Sequence, residues 1–276
     1  MNDYGFAWVR QLIHERAGIV VDESKRYFVI SRLERIATSA GFGSPDQMLV
    51  HMRSHPDARI EARIVEAMTT NETRFFRDMA PFEAMRFRLI PELMKRHKSD
   101  QTLSIWCAAC SFGQEPYSLA ILLREHFPEL SAWKLQIIAS DISREVLARA
   151  REGRYSQIEV NRGLSATHLV RYFEKQGSVY RVRDFMRALV DFREINLNGP
   201  WPALPECDII MMRNVLIYFD VATKQRLLEK VARQMFPGGY LFLGSSETVY
   251  GVTDKFDLVQ ADRAVCYQVA TRGAGR

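Results

Sequence analysis

The chain has 276 residues, 47% of them hydrophobic and 26% charged, and carries a formal net charge of +5; this is the balance of a soluble globular protein of one large or two modest units. No apolar run reaches the roughly 18 residues of a membrane span. The opening MNDYGFAWVRQLIHER lacks the basic start, apolar core and cleavage site of a secretory signal, so the cytoplasm is the expected compartment and direct membrane insertion is not expected. The positive balance permits nucleic acid, anionic lipid or an acidic protein surface as a partner and selects none of them.

Residues 4–98 read as helices. Phe6, Val9, Leu12, Ile13 and Ala17 recur at helical spacing, and Gly18 ends that run. Asp22-Glu23-Ser24 then caps a second helix carrying Phe28, Val29, Leu33 and Ile36. Its other positions include Lys25, Arg26, Arg32 and Arg35, either a solvated surface or a docking face for an acidic partner. A third helix starts at Ser44-Pro45-Asp46 and reaches about Ser54, and a fourth runs from Ala58 to about Ala67. In the next stretch, MTTNETRFFRD, threonine and asparagine favour non-helical backbone beside the paired Phe75 and Phe76. A helix from Phe82 to Arg96 links this helical unit to a region of different grammar.

From residue 99 strands and helices alternate. Leu103–Trp106 is the first strand and Glu115–Phe127 its helix; Leu135–Ala139 is the second, followed by a helix over Ser143–Arg151. Residues 153–188 break the alternation: SATHLVRYFEK reads as a helix, and a short hairpin turns at Gly177-Ser178. Val190–Ile195 and the apolar Cys207–Met212 are further strands. Asp220 caps a helix over Val221–Phe236 that Pro237-Gly238-Gly239 ends. Tyr240–Leu243 is a strand, and Phe256–Val259 and Ala264–Val269 form a closing hairpin. The tail ATRGAGR is expected to be disordered.

The segment LSIWCAACSFGQEPYS, Leu103 to Ser118, carries the chemistry. Strand, small-residue turn and helix form the ligand-binding opening of a doubly wound α/β sheet, where a ligand approaches the backbone closely. The turn lacks G-x-G-x-x-G, and Glu115 at the helix start repels a phosphate. A cation with an amine and hydroxyls fits better, and S-adenosylmethionine is such a ligand; a first-turn acid that only favours the helix dipole is the plainer reading. Asp141 ends the second strand, where nucleotide-binding folds hold ribose hydroxyls, or else caps the next helix. W-C-A-A-C has the spacing of a redox motif. Cys107, however, closes a predicted strand, and neither Cys207 nor Cys266 completes a second C-x-x-C, so no metal or redox role is expected.

Ligands of an open α/β sheet sit at the carboxyl ends of its strands. The residues expected there are Glu115, Asp141, Asn196, Leu197, Arg213, Asn214 and Tyr218. Together with T-T-N-E-T-R-F-F-R-D, C-A-A-C-S-F-G-Q-E-P-Y-S, S-D-I-S and R-N-V-L-I-Y-F-D, in that order, they give the chain a resemblance to the chemotaxis receptor glutamate O-methyltransferase (CheR) family. The resemblance covers nearly the whole chain. It implies a class I S-adenosylmethionine-dependent methyltransferase: a doubly wound, Rossmann-like α/β sheet over residues 99–276, with a small inserted β-hairpin subdomain at about 153–188. A small all-α N-terminal domain, residues 1–80, and a linker helix, 81–98, precede it.

Carried over by position, the resemblance implies that Asn71, Thr73, Arg77, Glu115, Asp141, Asn196, Leu197, Arg213 and Asn214 bind the cofactor, and that Arg77 and Tyr218 face the reacting centre. Lys25, Arg26, Arg32 and Arg35 become a docking face for the glutamate-rich coiled coil of chemoreceptor cytoplasmic domains. Ala37 and Thr38 stand where the family often extends that basic stripe. Only EKQGSVYRV lies between Phe173 and Arg183, shorter than in members whose insert binds a receptor tail, so weak or absent tethering is expected. A monomer is expected, and the resemblance leaves room for a regulatory protein partner. Two rivals are a nucleic-acid methyltransferase and a non-catalytic S-adenosylmethionine sensor. The first is disfavoured because N-P-P-Y/F and any aromatic–basic run are missing; the second is disfavoured by the intact Arg213-Asn214 and Tyr218 edge.

Overall fold

The computed structural model describes residues 1–270; residues 271–276, the end of the tail expected to be disordered, lie outside the described residues. Four helices open the chain: α1 (Asp3–Ala17), α2 (Arg26–Ser39), α3 (Pro45–Ser54) and α4 (Ala58–Ala67). Side chains of Asn2, Ser44 and Asp57 accept from first-turn amides of α1, α3 and α4. Asp22 caps a single 3-10 turn, Glu23–Lys25, which leads into α2. Apolar positions three and four apart put Phe6, Val9, Ile13, Val29, Leu33, Met48 and Ile64 into one shared core.

The expected linker helix begins earlier and is interrupted. It consists of α5 (Met79–Ala84), a π-helical turn over Met85–Leu89, and α6 (Ile90–Arg96). Pro91 supplies the reason: it has no N–H to bond the carbonyl four residues back, and its ring crowds that carbonyl, on Phe87. Phe82, Met85, Leu89 and Leu93 from this helix, with Phe75 and Phe76 before it, are buried in the core beside the sheet.

The remainder is built from β1 (Thr102–Ala108), α7 (Gln114–His126), β2 (Lys134–Asp141), α8 (Arg144–Glu152), β3 (Arg154–Ser156), α9 (Gln157–Asn161), α10 (Ala166–Tyr172), β4 (Phe173–Gln176), β5 (Val179–Val182), α11 (Asp184–Arg187), β6 (Val190–Glu194), β7 (Cys207–Met212), α12 (Val221–Gln234), β8 (Met235–Leu243), β9 (Phe256–Ala261) and β10 (Ala264–Val269). Among the described residues, seven strands form one sheet in the order β6-β2-β1-β7-β8-β10-β9. The first five are parallel, and β10 runs antiparallel to both β8 and β9. Alternation along the strands fills both faces: Ile105, Cys107, Ile209 and Met211 pack on one side, Trp106, Ala108, Ile210 and Met212 on the other. The strand order reverses between β1 and β7, which opens a crevice at their carboxyl ends.

Further expectations need correction. The helix expected over SATHLVRYFEK stops at Tyr172, because Phe173 turns into an aromatic cluster with Phe75 and Tyr155 at ring-centre distances of 5.6 and 6.4 Å. Phe173–Gln176 then pairs with β5 as a strand, and β3 pairs on the other side, so the insert is a three-stranded sheet rather than a lone hairpin. Likewise α12 ends at Gln234, and Pro237-Gly238-Gly239 lies inside β8. There the register against β7 shifts, with Met235 opposite Cys207 and Tyr240 opposite Ile209, which accommodates the proline in a bulge.

Candidate active site

The crevice at the switch point is a cavity walled by six separate segments, one of them the end of α1 and the residues after it, with Ala17 and Ile19. Thr69–Thr73 and Arg77 form a lip, Ala109–Ser111 and Glu115 follow β1, and Asp141 and Ile142 end β2. Ile195–Leu197 follow β6, and Arg213–Val215 with Tyr218 and Phe219 follow β7. Every residue that the sequence placed at the cofactor or the reacting centre lines this one cavity: Asn71, Thr73, Arg77, Glu115, Asp141, Asn196, Leu197, Arg213, Asn214 and Tyr218.

The turn after β1 works through backbone geometry. Ala109 and Ser111 sit at φ 57° and 51°, a left-handed conformation that costs a non-glycine residue energy. The Cys110 N–H donates to the Ser140 carbonyl at 2.8 Å, and the Ser111 N–H donates to Asp141 Oδ2 at 2.9 Å. Asp141 also accepts from the Ser143 N–H at 3.0 Å. Its carboxylate therefore holds the turn and the start of α8 together, while the Ser143 side chain caps that helix. Burial pushes the Asp141 carboxyl above its usual range, and the backbone N–H bonds oppose that shift.

Arg213 is the hub on the opposite wall. Its side chain is 2% exposed. It donates to Glu115 Oε2 at 2.9 Å, to Asp78 Oδ2 at 2.8 Å and to the Arg77 carbonyl at 2.8 Å. Its buried Nε has no partner among the described residues. Burial raises the Glu115 carboxyl, and the Arg213 charge pulls it back down. Asp78, at φ 56°, was not among the expected site residues, although it closes the T-T-N-E-T-R-F-F-R-D motif. Arg77 lies on the lip, where it donates to the Glu72 carbonyl at 3.1 Å. The Ser111 hydroxyl donates to the Asn71 carbonyl at 3.0 Å and so ties the lip to the turn.

Several expected residues also serve the fold. The Asn196 amide donates to the Arg16 carbonyl at the end of α1, at 2.6 Å, and the Leu197 carbonyl accepts from Trp201 and Lys230. The Val20 N–H donates to the Tyr218 carbonyl at 2.8 Å, and His14 Nε2 lies 2.8 Å from Asp220 Oδ2. The helical unit thus leans on the edge that carries Tyr218. Of the four basic residues on or beside α2, Lys25 and Arg35 are exposed. Arg26 pairs with Asp3 and Glu23, and Arg32 donates to the Ala67 and Thr69 carbonyls at the foot of the lip.

Burial keeps the Cys107 and Cys110 thiols well above their usual range, and all four cysteines are buried and free. Among the described residues, no group of three or more His, Cys, Asp or Glu is placed to hold a metal ion. No helix among them is long and apolar enough to cross a membrane. Glu247 is a second residue the sequence did not single out. Its carboxylate binds the loop after β7, while G-S-S-E read only as a loop.

The donor set suits S-adenosylmethionine. Glu115 and Asp141 line the cavity, and the Arg213 guanidinium is already paired with Glu115 and Asp78, so the lining favours a cationic ligand over a phosphate. Residues 5–69 match the family model described as CheR methyltransferase, all-alpha domain, and residues 71–265 the one described as CheR methyltransferase, SAM binding domain. The chain is 38% identical over 267 residues to the chemotaxis protein methyltransferase Cher2 of Pseudomonas putida, across 95% of this chain and 97% of that protein. It is 37% identical over 268 residues to chemotaxis protein methyltransferase 1 of Pseudomonas aeruginosa, with coverage of 95% and 97%. A chemotaxis protein methyltransferase of Vibrio parahaemolyticus is 36% identical over 273 residues, 98% of each chain. The chain therefore belongs to the CheR methyltransferase family and is an S-adenosylmethionine-dependent methyltransferase.

Proposed function

We propose that the cavity presents S-adenosylmethionine to glutamate side chains of chemoreceptor cytoplasmic domains, giving glutamate 5-O-methyl ester and S-adenosylhomocysteine in chemosensory adaptation. The observation that carries this reading is the convergence of six segments, with two guanidiniums and three carboxylates, on one crevice at the strand ends. In this reading Asp141 takes the ribose hydroxyls and Glu115 the methionine amine. Asn71, Thr73, Asn196, Leu197, Arg213 and Asn214 complete the cofactor wall.

The cofactor supplies a methyl group on a positively charged sulfur. The chain's own residues do the rest. A glutamate carboxylate, with an ordinary pKa of about 4.3, is ionised at neutral pH and needs no general base. Transfer neutralises opposite charges, and water opposes it by solvating the carboxylate. The protein's task is then to orient the carboxylate and exclude water. Arg77 orients it from the lip and Tyr218 hydrogen-bonds it from the β7 edge. Arg77→Ala is expected to lower turnover at saturating cofactor; a variant that lost only cofactor affinity would remove Arg77 from the reacting centre.

The acidic receptor coiled coil docks, in this reading, on the basic α2, with Lys25 and Arg35 as its exposed contacts and Arg26 and Arg32 behind them. Methylation by a Lys25→Glu/Arg35→Glu variant is expected to fall and to lose its salt dependence; normal rates would move the docking face elsewhere. The short insert is expected to bind a receptor tail peptide weakly or not at all, and tight saturable binding of such a peptide would overturn that. The central test uses cofactor labelled in the methyl group, with membranes carrying the organism's chemoreceptors. Label that enters the receptor and leaves as methanol in alkali marks a carboxyl ester. Alkali-resistant label, or none with the cofactor bound, would overturn the reading.

A further inference from the structure

Orientation of the receptor carboxylate by Arg77 and Tyr218 makes no direct use of Glu247, yet this residue binds the loop that carries Asn214 and Tyr218. Glu247 follows β8, at the end of Gly244-Ser245-Ser246-Glu247. Its Oε2 accepts from the Asn214 N–H and the Gly244 N–H, each at 2.7 Å, and its Oε1 accepts from the Ile217 N–H at 3.2 Å. One carboxylate thus fastens the loops that leave two neighbouring parallel strands. Hydrogen bonds from backbone amides to an ionised acceptor are among the stronger kinds.

Each bonded amide sits where the backbone needs support. Asn214 is held at φ 60°, a left-handed conformation that asparagine tolerates better than most residues and that the bond from its N–H to Glu247 fixes. Ile217 lies in the single 3-10 turn Leu216–Tyr218, too short to satisfy its own amides. At Gly244 a Cβ would fall 2.6 Å from Asn214 Nδ2 and 2.7 Å from Glu247 Oε2. Only glycine lets the carboxylate and the Asn214 side chain come this close. Ser245, in the same loop, lines a hollow beside the cavity with Thr73, Arg74 and Arg77. Glu247 itself is not part of the cavity wall.

We propose that Glu247 is a positioning residue for methyl transfer. Its carboxylate sets the backbone of residues 213–218 and so aims Asn214 at the cofactor and Tyr218 at the reacting carboxylate. The inference rests on the roles proposed for those two residues in the reaction. A purely structural Glu247 would change stability and leave the chemistry of the folded protein alone; a positioning residue changes turnover in protein that is still folded.

Glu247→Gln separates the two. It keeps the size and one oxygen, but sets an amide nitrogen against a backbone N–H in place of the other oxygen. The full chain is compared with wild type by melting, by amide exchange over residues 213–218, by S-adenosylhomocysteine calorimetry, and by methylation of a receptor fragment at saturating cofactor. Expected are a melting point within about 3 °C, faster exchange in that loop, product affinity weakened about fivefold, and kcat lowered at least about tenfold with receptor KM within about twofold. Gly244→Ala, which displaces the same carboxylate from a different position, is expected to reproduce the kcat loss. Unchanged exchange, affinity and kcat would overturn the proposal. So would a lower melting point with normal kcat per folded molecule. If wild type transferred no methyl group, the reaction reading would fall, and the exchange and affinity arms would still decide the role of Glu247.

Discussion

Strand β7 carries a buried polar network at each end, and the two differ in kind. At the amino end, Asp208 Oδ1 lies 2.7 Å from His97 Nε2, and its Oδ2 accepts from the Ser104 N–H at 2.9 Å. The other ring nitrogen of His97 lies 3.1 Å from Asp100. All these polar atoms are satisfied within the fold, which pins α6 to the bottom of the sheet. At the carboxyl end, Arg213 meets two acids and a carbonyl but keeps a buried Nε that has no partner among the described residues. Of the non-glycine residues at positive φ among the described residues, Phe76, Asp78, Ala109, Ser111 and Asn214 cluster around that end. A closed, relaxed network is what stability alone selects. An open, strained one is stored for a ligand.

The difference is tested most severely at the amino end. Asp208→Ala leaves His97 Nε2 and the Ser104 N–H buried without partners, and is expected to lower unfolding free energy by about 3 kcal/mol. Affinity of the folded protein for S-adenosylhomocysteine should be unchanged. Denaturant unfolding and calorimetry check both halves, and a large loss of affinity would end the division between the two networks. At the carboxyl end the balance should invert. Arg213→Lys keeps the charge but cannot fork to Glu115, Asp78 and the Arg77 carbonyl together. It is expected to weaken product binding at least tenfold, about 1.4 kcal/mol, with a smaller loss of stability than Asp208→Ala. Normal binding by this variant would make the Arg213 network a second structural clamp.

The same contrast marks what the sequence could disclose. The strands, the caps and the residues at the strand ends were legible because period-two alternation and the switch-point rule act on local patterns. Asp141 and Asn214 were found in that way. Glu247 and Asp78 were not, because a carboxylate reaching backbone amides 30 or so residues away, or an arginine more than a hundred away, leaves no periodic trace. Asn196 and Arg32 show the converse: their motif and charge were visible, but not that Asn196 holds the end of α1 or that Arg32 holds the foot of the lip. The three-stranded insert escaped for a related reason. Phe173 reads as a helical position until its ring is drawn toward Phe75, almost a hundred residues earlier.

The smallest effect belongs to a third network, at the surface between the helical unit and the sheet. Asp220 caps α12 through the Thr223 N–H at 2.7 Å and lies against His14 of α1. The Thr223 amide, then His14, lowers its carboxyl pKa to about 2 from an ordinary 3.8. A depressed acid contributes stability that is fully present above its unfolded pKa and lost as pH falls through the folded one, so this contribution fades between about pH 4 and pH 2. Asp220→Asn isolates it, since asparagine caps a helix about as well and carries no charge. Near pH 6 the variant should be slightly less stable than wild type, and the gap should close as pH falls toward 2. The side chain is 40% exposed, so solvent screening keeps the effect well below that of Asp208→Ala. A gap that stayed constant with pH would mean that the cap holds no anion in particular, and that the two units are joined here by shape alone.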